Sequence, residues 1–406
     1  MLTKAGHLSY CTNIHAGESW DDHFRALQQN FPAIKEAISP EAPMGIGLRL
    51  SNQASLQILE GNKIEEFKSW LQQTGSYVFT MNGFPYGGFH HTKVKDQVHA
   101  PDWTTTERVD YTKRLFTILA QLLPDGIDGG ISTSPLSYRY WYKDADTLNQ
   151  AIELATINLL DVVQLLISIR NQTGKILHLD IEPEPDGLLE TGNEFISWFE
   201  QYLLPIGVPI INNAFQIDAA AAEKLIKDHC NLCYDICHFA IGFEDHATVM
   251  DQLAAKGLKI GKFQISAALK ASLIGDSDKR TAIQSAFAQY NEPVYLHQVV
   301  ARLEEGGLLR YPDLSDALQD FEHKGVQEWR AHFHVPVFEA NFGLLESSRT
   351  DIETVLALHR LKHRTHHLEV ETYTWEVLSP EVKLPIGQSI IRELQWVLDQ
   401  LTIHHS

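Results

Sequence analysis

Short apolar runs alternate along this chain with longer segments in which apolar residues return every third or fourth position. The short runs read as strands: Tyr10–His15, Gly45–Ser51, Tyr77–Asn82, Gly129–Ser134, Ile176–Glu182, Leu232–Cys237, Lys259–Ser266 and His366–Tyr373. The longer segments read as helices. Trp20–Ile38 sets Phe24, Leu27, Phe31, Ile34 and Ile38 on one face, with a kink expected at Pro32. Thr104 and Glu107 have the spacing of a capping box ahead of Val109–Leu123. Asp144–Arg170 repeats Ile152, Ala155, Leu159, Val162, Leu166 and Ile169, and further helices are expected at Asn193–Leu204, Ala219–Asp228, Asp245–Lys256, Asp351–Leu361 and Gln388–Leu401. Strand and helix in strict alternation predict an α/β fold, a (β/α)8 barrel of the TIM type, as one domain over residues 1–406. A doubly wound sheet is the rival, but no glycine-rich phosphate loop follows the first strand. Ala267–Val326 is too long for a connection and holds helical runs of its own, so a helical insertion after strand seven, able to serve as a lid, is expected.

Strand phase then sorts the side chains. The face toward the helices must be apolar, and the other fills the barrel. In ILHLDIEPEP this sends His178, Asp180 and Glu182 inward; in LCYDIC it sends Cys233, Asp235 and Cys237; in KIGKFQIS, Lys262, Gln264 and Ser266; in HLEVETY, Glu369 and Glu371. Asn13, His15, Arg49, Ser51, Asn82 and Ser134 belong to the same inward set. Carboxylates at the carboxyl ends of three inward faces are costly to bury without positive charge among them. A divalent cation supplies it economically; Arg49 and Lys262, as a purely structural ion-pair network, are the alternative. The carboxyl end is also where barrels of this kind carry their active sites.

Composition narrows the options. The formal charge of −19 and the lack of a basic run argue against nucleic acid or an anionic membrane as partner. Without an unbroken apolar run of membrane-spanning length or a leader-like start, no membrane insertion is expected, and a cytoplasmic location is. Cys230, Cys233 and Cys237 have a spacing open to a thiolate site, but with 4 cysteines in all no second cluster completes a tetrahedral set. They read instead as small buried strand residues.

With Glu182 ending strand five, Asp235 and His238 ending strand six and Glu371 ending strand eight, the sequence resembles the xylose isomerase-like TIM barrels, which include sugar isomerases, ketose epimerases and endonuclease IV. IHAG at Ile14–Gly17, HFHVP at His332–Pro336, LEVETYTW at Leu368–Trp375 and the insertion look most like the EboE-type proteins linked to export of secondary metabolites. The resemblance implies a divalent metal (zinc, manganese or magnesium) held by Glu182, Asp235 and Glu371. Two departures stand out. Gln264 occupies the strand-seven place where those enzymes usually have a metal-binding histidine. His332 and His334 fall where endonuclease IV-like members have an Asp-x-His pair for additional metal ions.

These residues imply a metal-dependent isomerase or epimerase acting on a polyhydroxy carbonyl metabolite, sugar-like, by proton abstraction next to the carbonyl. Glu182 and Glu371 would bind the metal and exchange the proton. His238, Arg49, His15, Asn82, Lys262 and His90 are the candidate substrate contacts, with Gln264, His332 and His334 as further metal ligands. A multi-metal phosphoester hydrolase and a non-catalytic metabolite carrier are the alternatives.

Overall fold

The computed structural model describes residues 1–88, 95–293, 295–323, 325–373 and 385–403. Parallel strands Gly6–Tyr10, Met44–Arg49, Ser76–Asn82, Gly129–Thr133, Leu177–Ile181, Cys230–Asp235, Ile260–Ile265 and His367–Val370 each lie beside their neighbours in the chain, and the eighth pairs with the first. A parallel bridge between Cys11 and Gly47 joins the first to the second and closes the ring. The molecule is a TIM barrel. Leu2–Thr3 adds a short antiparallel strand to the first.

The first strand lies earlier than Tyr10–His15. Leu8 and Tyr10 supply its buried apolar alternation, and Thr12–Ile14 already forms a 3-10 turn at the barrel mouth. The expected capping box is absent as well. Thr105 is the N-cap of helix Thr106–Leu122 and makes no side-chain cap, while the Thr104 hydroxyl is drawn to Asp102. A true capping box forms at Thr191 and Glu194. Helix Trp20–Ile38 runs on through Pro32. Helix Ala145–Thr173 is long and apolar enough, by length and composition, to cross a membrane, which a search for unbroken apolar runs did not bring out. Here Ala155, Leu159, Val162, Val163 and Leu166 are buried in the main core.

Inside the barrel, glycines make room for charge. A Cβ at Gly47 would come within 1.8 Å of Glu369 Oε1, and one at Gly261 within 1.9 Å of Asp180 Oδ1. The Lys262 ammonium donates to Glu369 Oε2 at 2.5 Å, and both side chains are wholly buried. Lys262 is therefore an interior strut. The role of substrate contact expected of it is corrected, because its charge is already spent below the mouth.

The insertion follows strand seven and contains helices Ser277–Ala288 and Leu314–Gln319. Its frame, however, is a six-stranded antiparallel sheet, so the purely helical reading is corrected. The sheet orders Leu308–Tyr311, Val299–Leu303, Val326–Val335, Ala267–Ser272, Leu345–Ser347 and Asn341–Phe342. Buried Trp329, with Phe287, Tyr311 and Phe321 around it, gives the sheet its apolar face. The long strand Val326–Val335 carries His332 and His334.

Removing one member of a buried ion pair leaves the other uncompensated. Lys262→Met is expected to cost about 3–5 kcal/mol of unfolding free energy. Adding Glu369→Leu should recover most of that loss, and urea denaturation of the two variants checks it.

Candidate functional site

Each acidic residue reaches the mouth by the strand phase described above. Glu182 follows strand five, held by its N–H to Thr133 O at 3.0 Å. Asp235 ends strand six and caps the short helix Ile236–Ile241 by accepting from His238 N at 3.2 Å. Glu371 follows strand eight, its N–H on Ile265 O at 3.0 Å. Ligand atoms of Glu182, Asp235 and Glu371 all lie within 4.8 Å of one another. The three buried carboxylates converge.

They are not held alike. Glu371 is fixed by amides: Asn13 and Asn82 each donate to Oε1 at 2.7 Å, and Gln264 Nε2 donates to Oε2. Asp235 Oδ1 accepts from Ser266 Oγ at 2.6 Å, while its Oδ2 is buried with no hydrogen-bond partner. Glu182 Oε2 is likewise buried and unpartnered. Burial, with Glu371, Asp235 and Glu184 nearby, pushes the Glu182 carboxyl well above its ordinary range. Burial and the Asp235 and Glu369 charges push Glu371 up to about 8.

Three histidines add nitrogen donors. His238 Nδ1 lies 3.0 Å from Pro183 O, a pure acceptor, so this nitrogen carries the hydrogen. His332 Nδ1 lies 2.8 Å from Gln298 Oε1, whose orientation is set by its own amide donating to Pro185 O at 3.0 Å. Each ring therefore turns a bare lone pair outward from Nε2, and these two Nε2 atoms face each other at 3.0 Å. Two lone pairs at that distance repel unless a cation lies between or beside them. Protonation is a poor remedy, since burial and the neighbouring histidines hold both rings well below the ordinary histidine range. His334, stacked on Tyr373 at 4.5 Å, places Nδ1 3.5 Å from Glu371 Oε2 and Nε2 3.9 Å from Asp235 Oδ2.

Orphaned carboxylate oxygens facing bare imidazole nitrogens fit a divalent cation. Donor groups lie side by side at the mouth. Glu182, Asp235 and Glu371 form one and Glu184, His238 and His332 another; Asp235, His238 and His334 form a third that links them, and Cys237, His332 and His334 a fourth. The carboxylate-rich group suits magnesium or manganese as well as zinc, and the imidazole pair favours zinc.

The other expected residues fare differently. Asn82 lines the cavity over the site beside His238, His332 and His334. Arg49 is buried but committed elsewhere, donating to Gly17 O, to Gly87 O at 2.5 Å and to Glu18 at 3.4 Å; it clamps two loops and does not line the cavity. His15 is taken up by Tyr10 OH at 3.1 Å and stands outside the cavity wall too. Gln264 turns its amide nitrogen to Glu371 and its oxygen to the Cys233 thiol, so here it orients a carboxylate. Cys233 and Cys237 are free and buried, and burial raises both thiols well above their usual range. His90 lies outside the described residues. Asn13, Glu184, His99 and Gln298 were not foreseen in the site. His99 Nε2 sits 2.8 Å from Glu184 Oε1, and both line the cavity. Glu184 had a signal: it lies two residues beyond Glu182 in the alternation Pro183, Glu184, Pro185.

The class these residues define is a TIM barrel with a carboxylate and imidazole cluster at its carboxyl mouth that could hold a metal ion. No family model matches the sequence, and no curated protein matches it. Among solved structures the chain is similar to a xylose isomerase-like TIM barrel protein from Mycobacterium smegmatis in complex with magnesium, at 10% identity over 98% of this chain and 96% of that one, TM-score 0.49. It is similar also to the IOLI protein with a binding zinc atom, at 12% identity over 98% of each chain, TM-score 0.46. A third is the probable 3-DHS dehydratase AsbF from Bacillus anthracis, at 10% identity over 97% of this chain and 98% of that one, TM-score 0.46. Likeness this distant carries no chemistry to the present chain, and the barrel assignment rests on its own strand order.

The raised Glu371 carboxyl sets a pH dependence. In metal-free protein the folded state keeps this proton up to about 8, whereas the unfolded chain releases it near the ordinary 4.5. Between those values the folded state binds more protons, so its contribution to stability is present at low pH and is lost as pH rises through the window. Chelator-treated protein should therefore melt at progressively lower temperature across that range, and Glu371→Gln should flatten the slope. The gain on adding zinc should grow over the same range, because the ligands must first lose protons.

Proposed function

We propose that this protein is a metal-dependent enzyme that moves a proton at the carbon next to the carbonyl of a small polyhydroxy compound, as an isomerase or epimerase does. The observation carrying this reading is the unequal support of two facing glutamates. Glu371 has three amide donors fixing its oxygens, which suits a stationary ligand. Glu182 has an unpartnered oxygen and a carboxyl pushed well above its usual range, which suits a group that takes up and returns a proton. A divalent cation at Glu182, Asp235 and Glu371 would supply Lewis-acid stabilisation of charge developing on the carbonyl oxygen. Glu182 then takes the proton and can return it to the adjacent carbon. Asn82 and His99 line the cavity where substrate hydroxyls would sit, and the insertion contributes Tyr295, Gln298, His332 and His334 to its wall.

The test is exchange. In deuterium oxide, zinc-, manganese- or magnesium-loaded protein should incorporate deuterium next to the carbonyl of at least one member of a panel of short ketoses, their phosphates and hydroxy keto acids. Glu182→Gln should slow incorporation by about a hundredfold or more, compared at saturating metal because Glu182 is also a candidate ligand. Exchange unaffected by that substitution overturns the role given to Glu182; a metabolite carrier would bind a panel member without exchange.

A second reading rests on the His238–His332 pair. Two ions side by side suit hydrolysis of a phosphoester, with one ion orienting the attacking water and the other the leaving oxygen. Here metal analysis should give two ions per chain at the carboxyl mouth, and phosphate release from small phosphomonoesters should fall when His332 is replaced by Ala. The acidic chain argues for a small substrate over nucleic acid in either case.

A further inference from the structure

The opposite end of the barrel carries a cluster that none of the chemistry above employs. Asp128 immediately precedes strand four, His178 is the second residue of strand five, and His367 opens strand eight. All three sit at the amino-terminal mouth. One ligand atom from each lies within 4.8 Å of the others. His367 Nε2 is 3.4 Å from Asp128 Oδ1, and His178 Nε2 is 3.7 Å from Asp128 Oδ2. We propose that Asp128, His178 and His367 form a second, independent divalent-metal site at the amino-terminal mouth, of a chemistry suited to zinc.

Four observations converge on it. First, His178 is oriented from behind: Nδ1 lies 2.6 Å from Asp180 Oδ1, which points Nε2 at Asp128, 3.7 Å from its Oδ2. A buried carboxylate behind a ligating imidazole is the usual second partner of a zinc-binding histidine. Second, the barrel makes space for that pair. A Cβ at Gly130 would lie 2.3 Å from His178 Cε1, and one at Gly261 would collide with Asp180. Third, His367 is completely buried, its Nδ1 has no hydrogen-bond partner, and its Nε2 has only the Asp128 carboxylate at a long 3.4 Å. A buried imidazole so weakly satisfied is costly, and a metal ion shared with Asp128 at Nε2 removes part of that cost. Fourth, the ion has a way in. Asp128 and His178 line a cavity of about 390 Å³ bounded by Ile176, Ile260 and residues Lys362 to His366.

The spacing suits a tetrahedral ion. Ligand atoms about 2.1 Å from such an ion stand roughly 3.4 Å apart, and the His367–Asp128 separation is 3.4 Å. Two imidazoles and one carboxylate make a donor set that zinc accepts and that magnesium and calcium do not favour. Strands four and eight lie across the ring from each other, so the ion would brace the barrel end that the catalytic mouth does not occupy.

The test separates the two ends. Full-length protein carrying Glu182→Gln, Asp235→Asn and His332→Ala would be dialysed against zinc, freed of excess and assayed for bound metal and melting temperature. It should retain about one zinc per chain and melt higher with zinc than with chelator. Adding His367→Gln or, in a separate protein, Asp128→Asn should abolish both the retained zinc and the zinc-dependent rise. Zinc retention unchanged by these substitutions, or complete loss of zinc from the mouth-disabled protein, overturns the proposal. Should the combined variants fail to fold, anomalous scattering at the zinc edge from zinc-soaked wild-type crystals decides. A peak among Asp128, His178 and His367 supports the site, and a clean map there refutes it. Neither outcome depends on the activity assigned to the carboxyl mouth.

Discussion

Among the described residues, the carboxyl mouth of this barrel concentrates more buried electron pairs than the positive charge around it balances. Glu182 Oε2 and Asp235 Oδ2 have no hydrogen-bond partner, and the His238 and His332 Nε2 atoms confront each other. Among the described residues, the cations near this region are already paired: Lys262 with Glu369, Lys95 at the cavity wall with Asp313, and Arg49 with the loops at Gly17 and Gly87. Such an arrangement is tolerable when an external cation completes it, and the surrounding structure makes sense on those terms. The amides of Asn13, Asn82 and Gln264 hold Glu371 without neutralising it. The prolines of the strand-five loop offer the carbonyls that aim His238 and, through Gln298, His332.

Much of this was legible in the residues because a strand has a period of two. Phase alone sent Glu182, Asp235, Gln264 and Glu371 inward, and the structure puts them together. Phase does not report depth. Lys262 and Gln264 share one face of one strand, but two residues of rise separate a strut inside the barrel from a group at its mouth. Arg49 illustrates the same limit: its position was readable, whereas two of its partners are the backbone carbonyls of Gly17 and Gly87, which leave no mark in sequence. Asp180 and His178 were readable as inward, yet their place at the far end follows only from the register of strand five against strand four.

The inserted sheet escaped a pattern search for a different reason. Its members Leu308–Tyr311 and Leu345–Ser347 are very short, and its order is scrambled relative to the chain, so alternation has little length in which to appear. The helices between them are longer and dominate the periodic signal. The shift of the first strand by several residues has a related origin: Cys11 to His15 looks strand-like in composition, but the backbone turns there to present Asn13 to Glu371.

His332 and His334 reside on the inserted sheet, whereas Asp235, Glu182 and Glu371 belong to the barrel. The full donor set is thus divided between two structural units, although the three carboxylates meet within the barrel alone. An ion bound across that seam would act as a latch, so its affinity doubles as a gauge of how firmly the roof is seated. Substitutions far from the mouth, such as at Trp329 beneath the roof, would then register as weakened metal retention with every ligand still in place.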